Sequence, residues 1–377
     1  MLCAALAVHA VIALLSVYLA SRPNLDFDRF YAIATTPGRP YADFAVEHPI
    51  AALLVLRALV RGADSRTGFA RRLVALNTAA DAAIVATLAW GWGVETAAVF
   101  AVVVIALIGL LLDRIDLWSM LAATLAVTAW RSERPSLAGA AVATGAALKL
   151  WPLVFAPLLI FDPRSGAVRR RLGDVLPAAA VFALTGGLFA GAMWWLAGLS
   201  GFWEVVTFRG SRGWQIEGVV GSLLHLLTRT PIRYESGSMR IGAMTGGISI
   251  ILFVVSAPLC LWSVVRGAAT RRAGAGWLAA VSSLLLFSPL LSAQFAAWLT
   301  PAAAMAWNEG ERRLSALAAA VIGLTWLFYA WYGFVVESRT PMLVVVVARN
   351  AVLAWLAVAA IRTLARAPAR SAAEAHL

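Results

Sequence analysis

Apolar runs of about twenty residues recur along this chain, and they constrain its fold more than any other feature. A helix of that length crosses the hydrocarbon core of a bilayer. Such runs extend from Leu2–Ala20 to Pro341–Ile361, while shorter ones, such as Leu117–Ala129, read as half-spans or tightly packed helices. Of the 377 residues 62% are hydrophobic and 13% charged, with a mean hydropathy of +0.82. A soluble domain is about half apolar and a quarter charged, so too little polar surface remains here to cover a water-facing exterior. The expected fold is an all-α polytopic membrane protein, a bundle of roughly ten to twelve transmembrane helices with broken hairpins and outer-face loops. Residues 1–365 are expected to form one integral-membrane domain and residues 366–377 a short cytoplasmic tail. The first run has no basic residue before it and no clear small-residue cleavage site, so it reads as a span and not a removable signal.

The net charge of +12 would suit nucleic-acid binding, but the arginines argue against it. They lie between apolar runs, as the positive-inside rule expects of loops held in the cytoplasm. The clearest basic loops are Arg131–Arg134, Arg164–Arg171, Arg266–Arg272 and Arg362–Arg370. If all four are cytoplasmic, the segments Ser21–Pro49 and Ser200–Arg240 lie outside, together with Asp113–Asp116. Arg57, Arg61, Arg66, Arg71 and Arg72 resist this scheme; the run Ile50–Val60 before them is too short to span and is expected along the outer surface or partway into it. Cys3 and Cys260 fall inside apolar stretches, which argues against a disulfide framework. Proline interrupts two further stretches, at Lys149–Pro152 and at Ser288-Pro289, and each reads as a broken hairpin. Freed backbone groups at membrane depth are tolerated only beside protein or a watery cavity, so both breaks point to a cavity.

Chemistry-bearing residues concentrate in the first outer segment. Asp26, Asp28, Asp43 and Glu47 are interleaved with Phe27, Phe30, Tyr31, Tyr41 and Phe44. One reading is a solvated loop with ordinary charges. The other is a general base beside a polar acceptor, with aromatic rings against a ligand, because apolar surroundings raise a carboxylate's pKa toward the working range. Lys149 is the only lysine, and it sits in an apolar stretch beside a helix break; Arg349 is a second cation inside an apolar run. Intramembrane cations mark a functional site, a paired structural charge or a side chain snorkelling to the interface. Arg114 and Asp116 can pair with each other. There is no Walker loop, no dinucleotide fingerprint and no Cys/His metal cluster, so an activated donor would come from the membrane itself, and no cofactor or metal is expected.

Six segments, in order, carry a resemblance. They are "PYADFAVEHPI", "RIDLW", "GAALKLWPLVFAPLL", "RGWQIEGVVGSLL", "FSPLLSAQFAAWLTP" and "VVARN". Together they resemble the polytopic glycosyltransferases of family 87, mannosyltransferases that use polyprenyl-phosphate-mannose. His48 stands where that pattern has Tyr, Ile50 where it has a second Pro, and "SPLLSAQF" departs from its Ser-Pro-Gln order. The resemblance implies a GT-C architecture with the active site at the outer face and an essential aspartate in the first outer loop. Asp26 fits that position, with an aromatic four residues on at Phe30, and Asp28 is the alternative. By this reading Lys149, Arg349 and Arg29 hold the donor phosphate. Tyr31, Tyr41, Glu47, His48, Arg114, Asp116, Trp214, Gln215 and Glu217 contact sugar or acceptor. The partners implied are a polyprenyl-phosphate sugar, a lipid or glycan acceptor and membrane lipids, without nucleic acid. An Ala- and Arg-rich composition suggests a bacterium of high genomic GC content, and the expected location is the bacterial plasma membrane, multi-pass, with the active site facing outside. The rival class is a transporter or flippase for a lipid-linked solute, in which broken helices and intramembrane cations are equally expected. Against it stand the lack of an internal repeat and an acidic cluster placed in a loop.

Overall fold

The computed structural model describes residues 1–169, 172–207, 213–235, 238–243, 246–332 and 340–368. Arg212 and most of the expected tail lie outside these residues. The chain is a polytopic α-helical membrane protein. Seven of its described helices are long and apolar enough to cross a bilayer, and four more are apolar but shorter. Contacts divide it into two compact units, Met1–Phe208 and Arg209–Leu377.

The first unit contains α1 (Leu2–Leu19), α2 (Leu25–Thr35), α3 (Ile50–Arg61), α4 (Arg66–Trp92), α5 (Val94–Leu112), α6 (Asp116–Arg131), α7 (Pro135–Leu148) and α8 (Leu172–Thr207), the last kinked at Gly198. Local chemistry sets the starts. Asn24 Oδ1 accepts from the backbone N–H groups of Asp26 and Phe27 at 3.0 and 3.1 Å, which nucleates α2. Ser65 Oγ caps α4 by accepting from Gly68 N at 3.1 Å, and α4 ends where Gly93 adopts φ +94°. The short run at Ile50 forms a 12-residue helix that buries Ile50, Ala51, Ala52, Leu53 and Leu56. Of the two readings of Leu117–Ala129, tight packing holds: 13 of the 16 residues of α6 are buried. The Lys149–Pro152 break is present, with α7 stopping at Leu148 and a 3₁₀ helix running over Trp151–Ile160.

This unit is charged differently at its two ends. The 27 residues of α4 span about 40 Å. Arg66, at its start, lies among carboxylates. At its finish the Arg131 guanidinium sits 4.2 Å from the Trp92 ring centroid and that of Arg134 sits 5.1 Å from Trp90. Helices α6 and α7 connect the same two ends, from Asp116 to Arg131 and back from Pro135 to Lys149.

Between these ends one polar pair is buried in the helices. His9 Nδ1 of α1 is 2.6 Å from Asp81 Oδ2 of α4, and Nε2 donates to the Ala101 carbonyl of α5 at 2.8 Å. The pair fixes three apolar helices in one register, which nonspecific burial does not do.

The second unit begins with β1 (Trp214–Gln215), α9 (Val219–Thr228) and the hairpin of β2 (Arg233–Glu235) and β3 (Ser238–Ile241). The strands form an antiparallel sheet in the order β1-β3-β2, with Trp214 opposite Ile241 and Tyr234 opposite Met239. Then follow α10 (Gly246–Thr270), α11 (Ala273–Phe287), a 3₁₀ helix (Ala293–Leu299), α12 (Thr300–Asn308), α13 (Arg312–Ala330) and α14 (Thr340–Arg366). The break at Ser288-Pro289 is again present, between α11 and the 3₁₀ helix. Helices α10 and α11 touch backbone to backbone: a Cβ on Gly267 would lie 2.8 Å from Gly276 Cα. The Glu309 carboxylate accepts from Gly274 N and Ala275 N at 2.8 and 3.2 Å and caps α11.

Removing one partner of a buried pair leaves a charge or polar group unmatched and costs about 3–5 kcal/mol, while replacing both by apolar residues is often neutral. Asp81→Leu is therefore expected to lower the melting temperature in detergent well below that of the His9→Leu/Asp81→Leu double variant. Equal melting temperatures would show that the pair contributes no specific register.

Candidate functional site

Helix α2 puts Asp26 and Asp28 in its first turn, near the positive end of its dipole. Asp26 Oδ2 pairs with Arg114 Nη2 at 2.7 Å, and Asp28 Oδ1 with Arg66 Nε at 2.7 Å. Arg66 also donates to the carbonyls of Ala20 and Asn24 and lies 5.5 Å over the Phe27 ring, so one guanidinium closes the α1–α2 corner. One member of the basic patch that strained the charge rule is thus committed to the acidic loop.

Arg114 belongs to the corner between α5 and α6, three residues long at Asp113–Ile115. The buried Asn77 of α4 holds this corner by donating to the carbonyls of Leu112 and Arg114, both at 2.7 Å. Those carbonyls would otherwise be orphaned at a helix end. Asp116, first in α6, pairs through Oδ1 with Lys149 Nζ at 2.6 Å. Lys149 is the extended residue that closes α7, so the helix break delivers the ammonium to this carboxylate. Ser119 and Trp151 reinforce the join, Trp151 Nε1 donating to Ser119 Oγ at 3.1 Å. The structure therefore gives Arg114 a partner in Asp26 and Asp116 a partner in Lys149.

The rest of the segment between α1 and α3 forms a second arm. Arg29 pairs with the buried Glu47, whose Oε1 is also 3.2 Å from His48 Nε2. Tyr41 donates its hydroxyl to the His48 carbonyl at 2.7 Å from a backbone at φ +67°. Burial pushes its phenol well above the usual range. The Phe30 and His48 ring centroids are 5.7 Å apart, and the Tyr31 and Phe69 rings meet tilted by 56° with centroids 5.6 Å apart. Asp43 turns outward to Arg39, whose backbone N–H holds the carboxyl below its ordinary range. Each of the four carboxylates singled out in this segment has an arginine partner.

Asp113 was not among the expected site residues. Its Oδ2 accepts from Asn24 Nδ2 at 2.8 Å. Burial is the main cause that raises its pKa to about 6, and the nearby Asp26 charge adds to it, while Asn24, Arg114 and Arg66 act the other way. The sequence signal is a carboxylate closing an apolar run immediately before the charged motif that starts at Arg114.

The second unit gathers the remaining expected residues. Gln215 Nε2 donates to Ser292 Oγ at 2.6 Å and to Glu217 Oε2 at 3.3 Å, and Gln215 N donates to the Pro289 carbonyl at 3.1 Å. The proline break thus supplies the wall for the Trp214–Glu217 segment. Arg349, 0% exposed, donates from Nη2 to the Glu217 carbonyl at 2.7 Å, and its guanidinium sits 5.1 Å from the Phe328 centroid. Asn350 Nδ2 reaches the same carbonyl at 3.2 Å and Ser222 Oγ at 3.1 Å. Among the described residues Arg349 Nε and Nη1, Gln215 Oε1 and Asn350 Oδ1 have no hydrogen-bond partner. Buried polar atoms are normally satisfied, so this cluster carries an unmet demand for a polar ligand or water.

The fold and these clusters define a multi-pass helical membrane protein with a charged network at one end of its first unit. Comparison with known protein families gives no match, and no curated protein matches the chain in sequence.

Asp113 binds its proton more tightly in the folded protein than the ordinary carboxyl value of 3.8 allows. Its contribution to stability is thus full below about pH 4 and lost as the pH rises through about 6. Asp113→Asn is expected to flatten that decline. Melting temperatures of both proteins from pH 4 to 7 check this; parallel curves would contradict it.

Proposed function

We propose that this protein is a membrane glycosyltransferase that moves a hexose, mannose first among the candidates, from a polyprenyl phosphate to a hydroxyl of a lipid or glycan acceptor. The observation that carries this reading is the clustering of Asp26, Asp28, Asp113 and Asp116 with Arg114, Arg66 and Lys149 around the α5–α6 corner. Carboxylates for proton removal and cations for a departing phosphate are the groups such chemistry needs. The family 87 resemblance falls on several of the same residues and supports the reading.

In this mechanism Asp26 takes the proton from the acceptor hydroxyl, whose oxygen attacks the anomeric carbon in line. The bond from that carbon to the phosphate oxygen breaks, the electron pair leaves with the lipid phosphate, and the anomeric configuration inverts. Lys149 and Arg29 stabilise the charge that develops on phosphate. Arg114, already hydrogen-bonded to Asp26, orients its carboxylate. Arg349 is a candidate anion ligand of the second unit on its own evidence, because two nitrogens of a buried guanidinium lack acceptors. Glu47, His48, Tyr31 and Tyr41, all of the first unit, are assigned to sugar or acceptor contacts. The basic end of the first unit, with Arg131 and Arg134, supports a cytoplasmic face there and an outward-facing acidic network.

A transporter is the second reading, favoured by the buried His9–Asp81 pair, because intramembrane ionisable groups mark proton and solute pathways. Purified protein supplied with radiolabelled polyprenyl-phosphate-mannose and membrane lipid acceptors separates the two. The wild type is expected to transfer label, and Asp26→Asn to lose about a hundredfold or more in rate. Wild-type turnover by Asp26→Asn would eliminate Asp26 as base. Solute flux without sugar transfer would replace the enzyme reading by the transporter.

A further inference from the structure

The basic end of the second unit holds a feature the proposed chemistry does not use. A pocket of about 200 Å³ opens between the start of α13 and the last turns of α14, lined by Arg313, Arg362, Arg366, Trp355 and Glu311 among others. The two helices run in opposite directions, so arginines from both meet at one end. Glu311, the carboxylate in the lining, is committed to Arg272. Among the described residues no carboxylate pairs with Arg313, Arg362 or Arg366. These arginines are not needed to finish α14 either, because Arg266 donates from Nε to the Leu364 carbonyl at 3.1 Å and from Nη2 to that of Ala367 at 2.6 Å. The Arg313 guanidinium lies 5.4 Å from the Trp355 centroid, which holds it at the rim. The start of α13 adds the positive end of a helix dipole.

Apolar surface continues from this basic rim. Trp355 and Val358 are 52% and 46% exposed, about two turns and one turn back along α14 from Arg362. A free phosphate would use the arginines and leave this surface unused. An amphipathic anion would use both, its headgroup met by forked guanidinium donors and its tails by the helix flank.

We propose that this pocket binds the phosphate headgroup of an anionic phospholipid, with acyl chains lying against Trp355 and Val358. The assignment is independent of the transferase reading, since it concerns a different charge cluster and a resident lipid. Native mass spectrometry of the full chain in dodecyl maltoside tests it, with phosphatidylglycerol and phosphatidylcholine titrated separately and inorganic phosphate as a third arm. The wild type is expected to retain phosphatidylglycerol at least tenfold more strongly than phosphatidylcholine, and inorganic phosphate at equal concentration is expected not to displace it. Arg362→Gln/Arg366→Gln is expected to lose that preference, and Arg362→Lys/Arg366→Lys to recover part of it. If the glutamine variant does not fold, the wild-type preference and a Trp355→Ala variant, expected to weaken phosphatidylglycerol retention, decide the matter. Equal retention of both lipids by the wild type, or a folded glutamine variant that keeps the preference, would overturn the proposal. Displacement by inorganic phosphate would reassign the pocket to the free ion.

Discussion

The ion pair between Asp26 and Arg114 joins the segment after α1, low in apolar content, to the corner of two buried helices, and the rest of the site depends on it. The corner is short because Asn77 satisfies the carbonyls that end α5, which lets α6 begin at Asp116 with three residues between. Around it Asp113 meets Asn24, Arg114 meets Asp26, and Asp116 meets Lys149. Three segments far apart in sequence, at Asn24–Asp26, Asp113–Asp116 and Lys149, are thereby joined by polar and charged side chains in addition to apolar packing. Burying charge is tolerable only when each group finds a partner, and here the partners come from separate helices. Such a network specifies one arrangement of helices whose apolar faces would accept several.

The same logic explains why the molecule has breaks where it does. At Lys149 the helix stops so that an ammonium can reach Asp116. At Ser288-Pro289 the stop frees a proline carbonyl and a serine hydroxyl to hold Gln215. Both breaks place backbone and polar side chains against other protein groups, as the hydrocarbon environment demands. What differs is satisfaction. In the first unit each acidic side chain of residues 21–49 has a basic partner, whereas in the second Arg349, Gln215 and Asn350 keep unsatisfied atoms. Those atoms are the ones a polar ligand or a water would satisfy.

Much of the scaffold was legible in the sequence because apolar length and proline are local signals. The spans and the two breaks follow from runs of residues that touch one another along the chain, whereas Ile50–Val60, expected along the outer surface or partway into it, begins a helix that buries five residues. The pairing was not legible. Asp26 and Arg114 are far apart in sequence, and the corner's own Asp116 was an equally good partner for Arg114 until three-dimensional packing gave it Lys149. Asp113 escaped notice for a related reason: its neighbours in sequence are leucines and an arginine, and only Asn24 and Asp26, brought in by α2, make it unusual. The small sheet in the second unit was also missed, since strands of two to four residues carry too little alternation to be read.

The claim that the opening acidic segment is locked to the α5–α6 corner is tested most directly by a double-mutant cycle on unfolding free energy in detergent. The cycle compares Asp26→Ala, Arg114→Ala and the double variant with the wild type. A coupling free energy of about 0.5 kcal/mol or more, in the direction of attraction, is the predicted result. Additivity within about 0.3 kcal/mol would show that the two side chains do not meet, and the charged network would lose its central link.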